Sequence, residues 1–142
     1  MTTSGPPRAS SWAAPPEFYL DENVVTKSLR RRLIDLGYVV HTPAELFGSR
    51  DESNGRADAD WLARVGEEGW AAISRDHKIH ERPQEIAAYR EAGIHMFLLP
   101  GKATATELTA LVETNLRAIC AATSKRRPGI WKITTSGMRP YP

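Results

Sequence analysis

A three-layer α/β/α sandwich around a mainly parallel sheet is the fold this sequence predicts, on three observations. Short apolar runs alternate with amphipathic stretches in the order β-α-β-α-β-α-β-α-β. Two of the runs, Phe18-Tyr19-Leu20 and Trp70-Ala71-Ala72-Ile73-Ser74, are apolar without the polar alternation of a half-exposed strand, as expected of strands covered on both faces. Both runs lead directly into acid, Asp21-Glu22 after the first and Arg75-Asp76 after the second. In an open parallel sheet the carboxyl ends of the strands form the ligand-binding edge, so these acids are placed where chemistry is expected.

The elements follow in order. Met1 to Pro16 is rich in Ser, Ala and Pro, lacks apolar periodicity, and reads as a disordered arm. The folded domain is expected over residues 17–135, with 136–142 a C-terminal tail. After the first strand, Val25, Leu29, Leu33 and Leu36 recur at intervals of four, four and three, one face of a helix that Gly37 ends. Tyr38 to His41 reads as the second strand. Pro43 to Ala57 reads as a long loop with one helical turn at Ala44 to Phe47. Asp58 opens a helix with Trp61, Leu62 and Val65 inward, ended by Gly66 or Gly69. The third strand is followed by a helix from Pro83, a residue suited to a first turn, up to Gly93. Ile94 to Leu99 is the fourth strand, broken by Pro100-Gly101. Thr106 is expected to cap a last long helix with Glu107 in its first turn. Leu108, Leu111, Val112, Asn115 and Ile119 line one side of that helix, and Ile130 to Thr134 is expected to close the sheet as an edge strand.

A chain of 142 residues suffices for one domain with a full core. No stretch approaches the roughly 20 apolar residues of a membrane span. One cysteine, Cys120, allows no internal disulfide, which fits a reducing cytoplasm, and its Ala-rich helical setting suits core packing better than nucleophilic attack. The net charge of +2 conceals an asymmetry. Residues 17–123 carry thirteen basic against seventeen acidic residues, a net of −4, and the chain from Ser124 onward carries five basic residues and no acid. Such a tail either grips phosphates beside an acidic site or is merely solvated.

The acids define the chemistry. Carboxylates gathered on one edge repel each other unless a cation joins them, and hard ions such as Mg²⁺ or Mn²⁺ take oxygen ligands. Asp21, Asp58 and Asp76 are the candidate catalytic residues, with Asp60 added as a fourth metal ligand and Glu22 and His77 assisting. Phosphodiester cleavage needs an activated water and a counter-charge for the transition state, and a carboxylate-held metal supplies both. Asp58 is equally a good N-cap, Asp60 equally a partner for the helix dipole, and Glu22 equally a solvated neighbour. Around Asp76, Arg75, Lys78 and Arg82 are candidate substrate-binding residues for a phosphate. His77 and His80 do not form a zinc site with His41 or His95 at any familiar spacing. Neither a Gly-x-Ser-x-Gly motif nor a phosphate-cradling glycine loop occurs.

These residues together resemble the PIN-like nuclease superfamily, and within it the small VapC-type toxins of toxin–antitoxin modules. The likeness rests on Phe18-Tyr19-Leu20-Asp21-Glu22-Asn23, on Asp58-Ala59-Asp60-Trp61-Leu62 followed by Val65-Gly66, and on Gly69 to Asp76. Arg82-Pro83-Gln84-Glu85 and Arg90 to Ile94 add to it, and it spans roughly Glu17 to Thr135. The resemblance implies a PIN-like fold and a Mg²⁺- or Mn²⁺-dependent endoribonuclease. It also implies an RNA substrate and a cognate antitoxin protein that blocks the site; the sequence leaves the oligomeric state open, a homodimer included. By position it assigns Asp21, Asp58 and Asp76 to the family's acids, and Asp60 to a second acid of the helix motif. One departure stands out: the family often has a further acid soon after the third-strand acid, where this chain has His77-Lys78-Ile79-His80 and then Glu81. Two alternatives stay open there: a trimmed metal site, or one in which Glu22 or Asp60 substitutes. Two rival readings remain open at this level: a receiver-like signalling domain with Asp76 as phosphoacceptor, and a PIN-like module that binds RNA without cutting it.

Overall fold

The computed structural model describes residues 6–21, 24, 26–42, 58–76, 83–125 and 128–141, and of 58–62, 76 and 85 the backbone alone. Six strands make one sheet: β1 (Phe18–Leu20), β2 (Val40–His41), β3 (Ala71–Asp76), β4 (His95–Pro100), β5 (Gly129–Thr134) and β6 (Gly137–Pro140). Their order is β2-β1-β3-β4-β5-β6, parallel throughout except for β6, which runs antiparallel to β5. Among the described residues, four helices connect them: α1 (Lys27–Asp35), α2 (Asp58–Glu68), α3 (Pro83–Ala92) and α4 (Ala105–Ser124). The expected three-layer α/β architecture is therefore present.

Strand alternation divides the core between the two faces. Phe18 and Leu20 of β1, Ile73 of β3, and Phe97 and Leu99 of β4 are buried with Leu29 and Leu33 of α1 and with Leu108, Val112, Leu116 and Ile119 of α4. Tyr19, Ala72, Met96 and Leu98 point the other way, to Val65 of α2 and Ile86 and Tyr89 of α3. Successive residues of a strand face opposite sides, so a strand covered by helices on both faces must be apolar at nearly every position. Fully burying one such Leu or Phe contributes about 1.5–3 kcal/mol. Cys120 belongs to the first of these clusters, as the sequence suggested, and burial pushes its thiol pKa up.

Local signals place the helix ends. Thr26 caps α1 by accepting from the Leu29 amide at 3.1 Å. Gly69, with φ +72°, ends α2. Gly66 has a different task from the stop considered for it. It lies inside α2, where a Cβ would come 2.3 Å from the carbonyl oxygen of Ala92, so its bareness lets α2 pack against the end of α3. The cap of α4 is Thr104 rather than Thr106. Its hydroxyl accepts from the Glu107 amide, and the Glu107 carboxylate accepts from the Thr104 amide. This is a capping box over Thr104-Ala105-Thr106-Glu107, and the reciprocal bond fixes which threonine begins the helix. The Thr104 amide, and after it the Thr104 side chain, hydrogen-bond the Glu107 carboxylate and hold it below its usual range.

Two expectations at the chain ends are corrected. The arm is not disordered over residues 6–16. A single 3₁₀ turn, Ala9–Ser11, buries Ala9, and the Ala9 amide donates to the carbonyl of Leu36 at 2.8 Å. The buried Tyr38 hydroxyl explains the docking. It donates to the Pro7 carbonyl at 2.9 Å and accepts from Trp12 Nε1 at 3.0 Å. A buried hydroxyl needs such partners, and the arm supplies both. Burial raises the phenol's pKa well above its ordinary value. At the other end, β5 is not the sheet edge. Thr135-Ser136 forms a two-residue turn, with Gly137 at φ +127°, and the expected tail returns as β6. The Thr134 hydroxyl braces this turn, accepting from the Ser136 amide and donating to the Gly137 carbonyl, each at 3.1 Å. No helix among the described residues is long and apolar enough to cross a membrane.

Candidate functional site

The sheet order fixes where a site belongs. From β1 the chain crosses through α1 to β2 on one side, and later returns through α2 to β3 on the other. Because α1 and α2 cover opposite faces, the carboxyl ends of β1 and β3 form the switch point of an open α/β sheet, the place where such sheets bind ligands. Asp21 is the first residue after β1 and Asp76 the last of β3. The register pairs Leu20 with Ile73, and the Asp21 amide donates to the Ile73 carbonyl at 3.1 Å. Both acids flank the switch point on adjacent strands.

Asp21 is positioned by a residue that the sequence reading did not single out. The Ser74 hydroxyl, 5 % exposed, donates to Asp21 Oδ2 at 2.7 Å. A hydrogen bond from a buried hydroxyl to a carboxylate is short and strong, and it fixes the carboxylate rotamer. The signal was a lone hydroxyl in the apolar run Ala71-Ala72-Ile73-Ser74, one residue past the register partner of Leu20. The chain then turns, with the Val24 amide donating to the Asp21 carbonyl at 2.9 Å, so α1 starts beside the acid.

Asp58 and Asp60 are brought to the same edge by the path of α2. Only Gly69 and Trp70 separate α2 from β3, so the helix ends at the amino edge of the sheet. Its eleven residues rise about 16 Å at 1.5 Å each, comparable to the six-residue β3, and return its first turn to the carboxyl edge. The side chains of Asp58, Asp60 and Asp76 lie outside the described residues. Glu22, His77, Lys78, Arg82, His80 and Glu81 lie wholly outside them, as does the helical turn expected at 44–47.

The cations divide in a way the sequence did not reveal. Arg75 Nη1 donates to the carbonyls of Gly101 at 3.1 Å and Ala103 at 2.7 Å. Its guanidinium is thus bound to the loop after β4. Lys125, the start of the basic tail, follows α4, whose twenty residues carry the chain about 30 Å from the carboxyl edge to the amino edge. It therefore does not stand beside the acids. Lys132 and Arg139 face each other across β5 and β6.

At the amino edge lies a cavity of about 620 Å³ lined in part by Glu17, Gly66, Glu68, Gly93 and His95. His95 is 6 % exposed, its Nδ1 has no hydrogen-bond partner among the described residues, and burial lowers its pKa below 6.5. Nearby, His41 stacks on Trp70 with centroids 3.7 Å apart and bonds to Glu17 at 2.7 Å.

One family model matches the chain, described as a PIN like domain, and it covers residues 16–101. That is more than half of the sequence, and it contains Asp21, Asp58, Asp60 and Asp76. No curated protein and no solved structure matches the chain. The sheet order β2-β1-β3-β4-β5 is shared with receiver domains. The family match therefore distinguishes the two readings where topology does not.

Proposed function

Because the chain belongs to the PIN-like domain family, whose members are generally nucleases, we propose that it is a metal-dependent endoribonuclease and the toxin of a toxin–antitoxin pair. The observation that carries this reading is the placement of Asp21 and Asp76 at the carboxyl ends of adjacent parallel strands, across the switch point. The donor set fits a hard divalent cation. It consists of carboxylate oxygens, and the Ser74 bond engages Asp21 Oδ2 while leaving Oδ1 for a further partner.

Asp21, Asp58, Asp60 and Asp76 hold Mg²⁺ or Mn²⁺ in this proposal, with Glu22 and His77 assisting. The bound ion supplies charge neutralisation at the phosphate and a water activated at neutral pH. Ser74 keeps Asp21 oriented so that no rotamer search accompanies binding. Lys78 and Arg82 contact the phosphates beside the scissile bond. Arg75 contributes by holding the 101–103 loop next to the site. The partner is an antitoxin protein that covers the acid edge, and the proposed setting is the cytoplasm.

The test is cleavage of cellular RNA by the purified chain. Cutting that requires Mg²⁺ or Mn²⁺, stops in EDTA and disappears in Asp76→Asn is the expected result. Cleavage that persists in EDTA would show that the carboxylates are not the machinery.

A further inference from the structure

Beside the acid edge lies a second feature that the mechanism above does not use. A groove of about 530 Å³ opens between the loop after β4, the outer face of α4 and the turn after β5. Its volume lies in the range of about 300–1,000 Å³ that is usual for small-ligand sites. Glu107, Ala110, Leu111 and Thr114 line it from the helix, a spacing of three, one and three that keeps them on one face. We propose that this groove seats a nucleotide of the RNA strand that flanks the scissile phosphate. The inference rests on the ribonuclease reading and deepens it by naming a substrate subsite.

The first argument is continuity. Pro100, one wall of the groove, is the register partner of Asp76 on the neighbouring strand. Adjacent strands lie about 4.8 Å apart, so the groove begins one strand spacing from the acid that flanks the switch point. Arg75, the residue before Asp76, holds the Gly101 and Ala103 carbonyls and so ties the groove's loop to the acid-bearing strand. A nucleic-acid strand with a phosphate at the acids must pass over neighbouring surface, and this is concave surface on one side of them.

The second argument is chemical. Single-stranded RNA is bound through splayed bases, phosphates and the 2′-hydroxyl. The groove floor is aliphatic, with the Ala110 and Leu111 side chains available to a base face. Lys102 is exposed and has no ion-pair partner among the described residues, so its ammonium is available to a phosphate. Thr114 and Thr135 are exposed hydroxyls at the rim, suited to a base edge or a ribose. Thr134 is already engaged in the β5–β6 turn, and one Glu107 oxygen is bonded to the Thr104 amide. Arg75 is thus a positioning residue, which acts by fixing the groove wall.

The experiment uses the full chain and a short single-stranded RNA that the wild type cuts. A 4-thiouridine is placed in turn at each position around the cleavage point, in an Asp76→Asn background that leaves the RNA intact. Crosslinks from one flanking position into residues 102–114 or 134–135 are expected. In parallel, Ala110→Trp fills the groove from an exposed helical position, and Lys102→Gln removes the ammonium. Each should weaken RNA binding by about tenfold, the scale of one lost base or phosphate contact. Mn²⁺ affinity and Tm should be unchanged, and Ala110→Trp should also abolish base preference at that flanking position. An Ala110→Trp protein that binds and cuts with wild-type affinity and preference would overturn the subsite and leave the nuclease reading intact. Unchanged RNA binding with loss of an antitoxin's binding would make the groove a protein surface instead. A wild type that neither binds nor cuts RNA would remove both proposals.

Discussion

The two edges of the sheet carry opposite combinations of cavity and chemistry. Among the described residues, the amino edge has a cavity of about 620 Å³, against a groove of about 530 Å³ at the carboxyl edge, and a buried histidine. Its charged rim is acidic, with Glu17, Glu67 and Glu68, and burial holds His95 toward the neutral form. The carboxyl edge sets Asp21, Asp76 and the backbone of the first turn of α2 around the switch point. Strand direction, rather than cavity size, locates the chemistry. At one edge adjacent parallel strands end in Asp21 and Asp76, and at the other the strands begin from helix ends and glycine turns. The contrast implies that substitutions at the carboxyl edge should affect activity with little effect on stability, whereas those at the amino edge should do the reverse.

The largest expected effect is at the acids. Asp21→Asn or Asp76→Asn should lower RNA cleavage by about 10²–10³-fold or more, the scale of removing a preorganised electrostatic partner. Thermal melting without metal should barely move, and a loss of fold in either variant would blur the division between the edges. Ser74→Ala comes next. Asp21 Oδ2 would lose its donor at 2.7 Å, and Mn²⁺ affinity, read by calorimetry, should fall about 10–100-fold, as for other residues that orient a metal ligand. An unchanged affinity would make Ser74 a packing residue only.

At the amino edge, Gly66→Ala should destabilise by about 1–3 kcal/mol, because the new methyl meets a backbone carbonyl that cannot swing away. Urea unfolding measures it, and the activity of the folded fraction should be unaffected. The smallest expected effect is pH-linked. His95 has a folded pKa below its unfolded value near 6.5, so its contribution to stability is full above about pH 6.5 and is lost as pH falls toward the folded value. His95→Phe should flatten that part of the Tm-against-pH curve. A curve of unchanged slope in the variant would assign the dependence to other groups.

The legibility of this chain in its sequence followed the same division. Strands β1, β3 and β4 were readable because burial on both faces makes them continuously apolar, and the acids after β1 and β3 were readable because they interrupt that pattern. Helix α1 was readable from Leu29, Leu33 and Leu36, all buried. What escaped was decided by partners distant in sequence. The arm looks disordered by composition, yet Trp12 and Pro7 are held by a tyrosine hydroxyl 26 and 31 residues away. Strand β6 escaped because its pairing depends on the Thr135-Ser136 turn, and Gly137-Met138-Arg139-Pro140 has little strand character of its own. Arg75 was singled out for a phosphate because it precedes an acid, and its bonds to a loop 26 and 28 residues on could not be read from that neighbourhood. The choice between a phosphate-gripping and a solvated basic tail stayed open because charge counting ignores the length of α4, which sets Lys125 at the amino edge.

The most direct test of the central claim, that the carboxyl edge holds the metal, is Mn²⁺ relaxation in amide NMR spectra of the full chain. Substoichiometric Mn²⁺ should broaden the amides of Asp21, Ser74 and Gly101 first, while those of Gly69, Gly93 and Gly129 at the amino edge stay sharp, and Asp21→Asn should weaken the effect. Broadening that begins at Gly69, Gly93 and Gly129, or that is identical in Asp21→Asn, would contradict the account.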